Sequence, residues 1–287
     1  MITAANTCVP TVAGIEASGA TPVLVDVDEA TFTLDPGELP EATTARTRAV
    51  VAVHLYGQCA DADAIGAYAR EHGLVLVEDA AQAHGAELGG RRAGTLGAAA
   101  AFSFYPTKNL GAAGDAGAVV TDDPAVADAV RELRSFGERS GGVAVRRGSN
   151  SRLDPVQAAI LSVKLPHLER WNDRRRALAR FYDAGLTGTI DTPVERANGR
   201  HVYHLYVVRS TRRDAIAEAL ERRGIATLVH YPRAVHEHPA YKALARPGKL
   251  GRSERLAREV LSLPLYPELA DDEALAVVDA LREVSGA

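Results

Sequence analysis

Short apolar runs alternate with longer stretches of mixed apolar and polar residues in the first part of the chain. The runs at 22–26 and 48–55 are rich in β-branched residues, which predicts buried strands. Residues 61–72 carry apolar side chains at close to helical spacing, and Asp61 stands where a helix would begin. The run at 74–77 predicts a third strand. Strand, helix and strand in this order make a βαβ unit, which implies a parallel sheet.

The same kind of pattern predicts the remaining elements. We expect a short helix from Asp35, strands at 98–105 and 118–121, a helix capped by residues 122–124, a mobile loop at 137–148 and a mainly helical stretch at 151–186. Further on, we expect strands at 204–209 and 226–231 and helices at 214–223, 253–261 and 271–284. The three arginines at 174–176 are expected to form a solvated face.

These elements predict an α/β fold with two domains. Residues 1–165 would form a large domain with a mostly parallel sheet flanked by helices, and residues 166–287 a smaller C-terminal α+β domain. No opening helix is predicted before residue 22, so the chain must join a core immediately. Such a beginning is typical of a chain that lacks an N-terminal segment.

Composition narrows the possible classes of protein. The 287 residues are 46% hydrophobic and 24% charged, with a formal net charge of −4. This balance disfavours nucleic acid or an anionic membrane as the main partner. No apolar run approaches the ~20 residues that span a bilayer, and no signal-like segment opens the chain. Cys8 and Cys59 form no CxxC pair, which fits a cytoplasmic location and disfavours iron–sulfur or structural zinc sites.

Polar side chains follow the predicted strands at the edge where parallel sheets bind ligands. His54 and Tyr56 follow one strand, and Asp79 and Gln82 follow the next. Lys108 follows the strand at 98–105, and three glycines come soon after it. The sequence therefore places a candidate site at this edge.

Lys108 is the central candidate. A lone lysine after a strand is usually a surface charge, but the glycines at 111, 114 and 117 indicate that backbone passes close to another group. A phosphate-binding P-loop is excluded because its Gly-Lys-Ser/Thr order is absent. An imine-forming lysine fits better. Together with an acid such as Asp79, it is the pair that pyridoxal phosphate (PLP) chemistry requires.

Three further side chains would serve the same cofactor. Asp79 would keep a pyridine nitrogen protonated, although it also suits a helix N-cap. Gln82, three residues on, reaches a second ring substituent from the same turn. The Ser103 hydroxyl suits a phosphate, although serine is also an ordinary residue in an alternating strand. His84 is expected to be a hydrogen-bonded structural histidine.

A metal site is disfavoured. His236 and His238 stand two residues apart and His230 is close in sequence, but no third ligand has fitting spacing.

The stretches at 78–86 and 103–117 resemble the DegT/DnrJ/EryC1/StrS sugar-nucleotide aminotransferase family, which has the type I PLP fold. The resemblance runs from about residue 2 to about residue 283. Supporting stretches lie at 53–58, at 150–154 with Gln157, and at 230–232.

The resemblance implies roles for particular residues. Lys108 would be the catalytic residue that binds PLP covalently, Asp79 would pair with the pyridine nitrogen, Gln82 would contact the ring hydroxyl and Ser103 the phosphate. Asn150 would reach the phosphate of a neighbouring subunit's cofactor, which implies a homodimer with shared sites.

The resemblance also implies the reaction. His230 and Tyr231 would contact a nucleotide-linked keto-6-deoxysugar, and glutamate would donate the amino group. The segment 108–115 resembles members that aminate C3 rather than C4. The lysine argues against the dehydratase branch, in which histidine replaces it. Having only two cysteines argues against the iron–sulfur branch.

Two departures from the family pattern qualify this interpretation. The family begins several tens of residues earlier, with a Gly-Thr turn whose N–H groups bind the PLP phosphate. Cys8 stands where many members place an aromatic residue that stacks on the ring. We therefore expect the chain as given to bind PLP weakly or not at all. A truncated, non-catalytic remnant or partner subunit is the alternative hypothesis, and an upstream start codon would also explain the beginning.

Overall fold

The structure is a computed structural model that describes residues 1–139, 141–246 and 248–285. In chain order the strands are β1 (Ile2–Ala4), β2 (Val23–Val25), β3 (Ala49–Val53), β4 (Val75–Asp79), β5 (Glu87–Leu88), β6 (Arg91–Arg92), β7 (Ala99–Ser103), β8 (Gly117–Val120), β9 (Glu138–Arg139), β10 (Val143–Ala144), β11 (Gly199–Arg200), β12 (Tyr206–Arg209) and β13 (Val260–Leu263).

The α-helices are α1 (Val9–Ala17), α2 (Leu39–Ala42), α3 (Ala62–Glu71), α4 (Pro124–Leu133), α5 (Pro155–Lys164), α6 (Leu168–Leu186), α7 (Arg213–Glu221), α8 (Gly251–Glu259) and α9 (Asp271–Ser285). Short 3₁₀ helices lie at Pro36–Glu38, Leu55–Gly57, Leu165–His167, Val235–Glu237 and Pro239–Leu244.

The central sheet has the strand order β2-β1-β3-β4-β7-β8. All neighbouring pairs are parallel except β7 and β8, which are antiparallel. Val53 pairs with Asp79 and Asp79 with Ala101, so β3, β4 and β7 end at the same edge. The predicted α/β fold with a mostly parallel sheet is confirmed, and its carboxyl edge is where the candidate residues lie.

Helix α3 completes the βαβ unit that the apolar spacing predicted. The Asp61 carboxylate accepts a hydrogen bond from the Ala64 N–H at 3.1 Å and caps the helix. Ile65 and Ala69, four residues apart on one face, are buried against the sheet core. The strand and helix predictions of this region agree with the structure to within about two residues.

The prediction of no opening helix is wrong. Residues 9–17 form α1, which follows β1 directly. Pro10 stands in its first turn, where the missing N–H removes no internal hydrogen bond. Only Val12 and Ile15 of this helix are buried, and Gly14 lowers its helix propensity. These features hide a helix from a search for apolar periodicity.

Two other predictions also need correction. No strand is assigned within residues 226–231; Leu228 alone pairs with Ser262 in an isolated bridge, and Pro232 follows. The segment at 137–148, predicted as a loop, contains the antiparallel pair β9 and β10. Gly141 and Gly142 lie in its turn with φ of 90° and 74°, a conformation that glycine adopts without strain.

The described part of the chain has two large hydrophobic cores and two small ones. The first is beneath the central sheet, and the second is formed mainly by α6, α7, α9, β12 and β13. Helix α8 is anchored to the first core, because buried Asp26 accepts hydrogen bonds from the N–H groups of Arg252 and Ser253 at 2.8 Å each. The division at residue 165 stays a prediction.

The arginines at 174–176 do not form a solvated face. Arg175 is 7% exposed and donates from Nη1 to the carbonyls of Tyr203, His204 and Leu265 at 3.1, 3.3 and 2.8 Å. Burial lowers the pKa of Arg175 to about 10. Its role is to satisfy backbone carbonyls where α6 meets the second core.

Across residues 1–139, 141–246 and 248–285, no helix combines the length and the apolar character that crossing a membrane requires.

Candidate active site

Two carboxylates stand side by side at the end of β4 and point to opposite faces of the sheet. Glu78 is fully buried and accepts hydrogen bonds from His54 Nε2 at 2.9 Å and from the N–H groups of Gly94 and Gly97 at 2.7 Å each. Burial alone would raise the pKa of Glu78, but these hydrogen bonds hold it below its usual range. Glu78 therefore fixes the structure, and Asp79 is left to face the site.

Asp79 is half-buried and held by two donors. Its Oδ1 accepts from the Ala81 N–H at 3.1 Å and its Oδ2 from the Thr11 hydroxyl at 2.6 Å. The Thr7 and Thr11 hydroxyl oxygens are 3.0 Å apart. Because a carboxylate only accepts, Thr11 donates to Asp79 and Thr7 donates to Thr11. This directed chain fixes the carboxylate and leaves it capacity to accept a further hydrogen bond.

The structure brings Gln82 and Tyr231 together. Gln82 Oε1 accepts from the Tyr56 N–H at 2.7 Å, and Gln82 Nε2 donates to the Tyr231 hydroxyl at 3.0 Å. The Tyr56 hydroxyl donates to the His230 carbonyl. The second hydrogen of Gln82 Nε2 has no partner among the residues that the structure describes, so it is available to a ligand.

Lys108 lies in a tight turn after β7, where its N–H donates to the Tyr105 carbonyl at 2.8 Å. A Cβ at Gly111 would collide with the Pro106 carbonyl oxygen, so the glycine after the lysine is required by the chain itself. Burial lowers the pKa of Lys108, and Cys8 and Asp79 partly oppose this shift. A larger uncharged fraction makes the amine a better nucleophile.

Ser103 and Asn150 are less closely tied to this group. Ser103 is half-buried at the end of β7, and its hydroxyl oxygen accepts from the Tyr105 N–H at 3.3 Å. Its own hydroxyl hydrogen is available to a ligand. Asn150 is exposed; its backbone pairs with Ser135, and its Oδ1 accepts from Arg152 Nε at 3.1 Å. One chain does not bring Asn150 into contact with the other predicted residues.

A cavity of about 590 Å³ opens beside Lys108. Lys108, Asn109, Arg175, His204 and His230 are among the residues that line it. His230 Nδ1 lies 2.8 Å from the Ser262 hydroxyl. Burial and the Lys108 charge lower the pKa of His230, which favours a neutral imidazole. The cavity is large enough for a small organic substrate.

His84 differs from the expected hydrogen-bonded histidine. It is buried with ring centroids 5.3 Å from Phe102 and 5.7 Å from Phe104. Neither ring nitrogen has a hydrogen-bond partner within the described residues. Burial, with a smaller effect of Lys108, lowers the pKa of His84 to about 4, so it is a neutral aromatic filler behind the site.

The histidines considered as metal ligands have other partners or none of the right arrangement. His236 Nε2 lies 3.0 Å from a Glu254 carboxylate oxygen. Outside Ser140, Pro247 and the last two residues, no group of three or more His, Cys, Asp or Glu side chains is arranged to bind a metal ion.

Several site residues were not found from the sequence. Thr11, which donates to Asp79, is one of them. The spacing of Thr7 and Thr11, four residues apart on either side of Pro10, is the sequence feature that could have revealed it. Asn109 is adjacent to Lys108, but no local pattern links it to His204, 95 residues away.

The arrangement fits PLP. A half-buried amine with a lowered pKa lies beside a carboxylate with spare acceptor capacity, and the Gln82 amide and Ser103 hydroxyl each have a free hydrogen. When bound, PLP supplies an electrophilic aldehyde and an electron sink for amino-group transfer.

Comparison with known proteins places the chain in a family. The model of the DegT/DnrJ/EryC1/StrS aminotransferase family matches residues 1–282, and the chain belongs to that family. It is therefore an aminotransferase enzyme, and PLP is its cofactor.

The chain is also similar to individual transaminases. The chain is 50% identical to dTDP-3-amino-3,4,6-trideoxy-alpha-D-glucose transaminase of Streptomyces venezuelae, over 99% of this chain and 76% of that protein. It is 43% identical to dTDP-3-amino-3,6-dideoxy-alpha-D-galactopyranose transaminase of Aneurinibacillus thermoaerophilus, over 98% and 78%. The crystal structure of S. venezuelae DesV superposes with a TM-score of 0.97 at 50% identity, covering 100% of this chain and 78% of that one.

Proposed function

We propose that the enzyme transfers the amino group of glutamate to C3 of a nucleotide-linked keto-6-deoxysugar. The observation that carries the proposal is the placement of Lys108 and Asp79 at one sheet edge, beside a cavity of substrate size. The preference for C3 is supported by the relatives, because both transaminases compared above are named for 3-amino sugars. A non-catalytic remnant is not favoured, since these close relatives are transaminases.

The residues divide the work between binding and proton transfer. Lys108 Nζ would hold PLP covalently, and as a free amine it would move a proton at the α-carbon of the donor. Asp79 would keep a positive charge at the pyridine nitrogen, Gln82 Nε2 would donate to the ring hydroxyl, and the Ser103 hydroxyl would donate to the phosphate. His230, which lines the cavity, and Tyr231, which accepts from Gln82, would contact the sugar.

The test uses the full chain saturated with PLP. With ¹⁵N-glutamate and matched dTDP-linked 3-keto and 4-keto 6-deoxyhexoses, we expect ¹⁵N at C3 of the sugar, detected by NMR of the product. Amination at C4 would overturn the regiochemistry, and transfer from alanine but not glutamate would overturn the donor. No transfer by folded, PLP-saturated protein would restore the non-catalytic alternative.

We also propose a homodimer in which Asn150 completes the partner's site. Asn150 is exposed, and the nearby Phe136, Val143 and Val145 expose 49%, 60% and 46% of their surface. Apolar exposure of this extent is typical of a surface that another chain covers.

Subunit complementation tests the shared site. Lys108→Ala and Asn150→Ala homodimers should each be nearly inactive. A mixed dimer holds one site with both native residues if Asn150 acts across the interface, so mixing should restore activity. If Asn150 acts within its own chain, every site keeps a defect and mixing restores nothing.

A further inference from the structure

Two buried side-chain amides, one of them on the residue that follows Lys108, connect to His204. Asn172 Nδ2 donates to the His84 carbonyl at 2.8 Å, and Asn172 Oδ1 accepts from Asn109 Nδ2 at 2.8 Å. Asn109 Nδ2 also donates to the Val202 carbonyl at 3.1 Å. Asn172 and Asn109 are 0% and 5% exposed. Because backbone carbonyls only accept, both amides have one possible orientation.

These two amides set the tautomer of His204. Both hydrogens of Asn109 Nδ2 are used, so Asn109 Oδ1 faces His204 Nδ1 at 3.1 Å as an acceptor. His204 Nδ1 must therefore carry a hydrogen. Burial, reinforced by the Lys108 and Arg175 charges and by His84 and His230, lowers the pKa of His204 well below its usual value. The imidazole is neutral, and its Nε2 has a free lone pair.

That lone pair belongs to the same cavity as Lys108. Both residues line the cavity, and Asn109, the neighbour of Lys108 in sequence, is in direct contact with His204. His204 Nε2 has no hydrogen-bond partner among the described residues. An acceptor with a fixed orientation therefore lines the same cavity as the catalytic amine.

We propose that His204 is a positioning residue for Lys108: its Nε2 accepts a hydrogen bond from the lysine ammonium, directly or through one water, whenever the lysine is not covalently engaged. No bond is formed or broken in this contact. It orients the amine and favours its charged form against the effect of burial. The proposal rests on the role proposed for Lys108, but its test requires no amino-group transfer.

The test measures the pKa of Lys108 in the apoprotein, from the pH dependence of its acetylation rate by mass spectrometry between pH 7 and 11. His204→Asn keeps a donor to Asn109 Oδ1 and removes the acceptor at the Nε2 position. We expect the Lys108 pKa to fall by about one unit, which corresponds to the loss of one hydrogen bond to a charged group. His204→Gln places an amide oxygen near that position and should recover much of the shift.

Exposed Lys249, which pairs with Glu41, is the internal control and should label identically in all variants. An unchanged or raised Lys108 pKa in folded His204→Asn protein would overturn the proposal. Should this variant not fold, ¹⁵N NMR of the native chain gives the answer. The His204 Nε2 signal should be that of an unprotonated nitrogen and should move in Lys108→Ala; a protonated Nε2 or an unmoved signal would overturn it.

The outcome is separable from the proposed function. If the chain transfers no amino group but the Lys108 pKa shifts in His204→Asn, the proposed function is wrong and this inference holds. If the chain transfers the amino group but the Lys108 pKa does not shift in the variant, only this inference is wrong.

Discussion

Lys108 lies between two groups of side chains, called here the first and the second wall. The two groups are built differently. The first wall carries Asp79 and Gln82, which lie three residues apart where β4 ends. The second carries Asn109, Arg175 and His204, which come from three distant segments. The position of the first wall is set by the direction of the parallel strands, because its residues follow the carboxyl end of β4. The second exists only because α6 and the residues before β12 pack against the lysine turn.

The walls also differ in electrical character. On the first wall, Asp79 supplies a negative charge that is held by hydroxyl and N–H donors. On the second, burial and nearby positive charges keep His204 and His230 neutral. Lys108 thus has a carboxylate on one side and uncharged imidazoles with the Arg175 guanidinium on the other. This difference teaches that the Asp79 charge is placed by local sequence, whereas the neutrality of the two histidines results from tertiary packing.

The largest effect is expected from removing the amine that both walls share. Lys108→Ala should abolish transfer and the visible absorbance of PLP that borohydride removes, because it removes the amine that we propose to hold PLP covalently. Both are measured at saturating PLP. Lys249→Gln changes an exposed lysine far from the cavity and should leave both unchanged. Persistent borohydride-sensitive absorbance in Lys108→Ala would show that the wrong lysine was assigned.

Substitution of the two carboxylates of β4 should have different effects, one on transfer and the other on stability. Asp79→Asn should lower transfer by about a hundred- to thousandfold in a folded protein, since a charge stabilising the reacting system is lost. Glu78→Gln should instead lower the free energy of unfolding by about 3–5 kcal/mol. The amide nitrogen replaces one carboxylate oxygen and then faces hydrogen-bond donors, either His54 Nε2 and the Gly94 N–H or the N–H groups of Leu96 and Gly97. Transfer per folded molecule should be retained.

Steady-state kinetics and urea unfolding separate these two outcomes. If Glu78→Gln lowered transfer per folded molecule as strongly as Asp79→Asn does, Glu78 would belong to the catalytic group. If Asp79→Asn mainly unfolded the protein, its assignment to the cofactor would lose its support.

The contrast between the walls also explains what the sequence could predict. The strands at 48–55 and 74–77 were predictable because apolar runs and a capped helix are local signals. They placed Asp79 and Gln82 correctly at a sheet edge. Helix α1 was missed because its apolar residues have no clear period, and the Thr11 contact with Asp79 was missed with it.

The second wall lies outside the range of local signals. His204 lies next to a strand and looks like any polar residue before an apolar run. Its tautomer depends on Asn109 and Asn172, which are 63 residues apart in sequence. Arg175 was assigned to a solvated face because neighbouring arginines usually are solvated. Only the packed fold shows which one of the three is buried.

Acid should destabilise the fold through its buried neutral histidines. Burial lowers the pKa of His84 to about 4 and of His201 to about 3, and that of His204 falls in the same direction. A lowered pKa means that the unfolded chain binds the proton first, so stability is complete above about pH 6.5 and is lost below it. Between pH 7.5 and 5.5 each histidine costs about 1.4 kcal/mol, or about 4 kcal/mol for the three.

Urea unfolding at the two pH values checks this sum. His204→Asn lacks one of the three groups, so its loss on acidification should be smaller by about 1.4 kcal/mol. His72→Gln alters an exposed histidine and should keep the full loss. An equal loss in His204→Asn and the native chain would mean that His204 is not held neutral in the fold.

The smallest effect is expected at the far end of the first wall. Thr11→Val removes the hydroxyl that donates to Asp79 Oδ2 at 2.6 Å and keeps the size of the side chain. A hydrogen bond to a charged group contributes about 1.5 kcal/mol, so PLP should bind roughly tenfold more weakly in an absorbance titration. Thr11→Ser retains the donor and should bind PLP nearly as the native chain does.

The matched pair separates hydroxyl chemistry from packing. Equal weakening in both variants would assign the effect to the packing of α1 rather than to the hydroxyl, and no weakening in either would restrict the first wall to β4 and its turn. Thr7→Val adds a finer step, because Thr7 donates to Thr11 and does not touch Asp79. Its effect on PLP binding should be smaller than that of Thr11→Val, since only the orientation of the Thr11 hydroxyl is loosened. A graded series across Thr7, Thr11 and Asp79 would show that the first wall, too, depends on an element that its local sequence did not reveal.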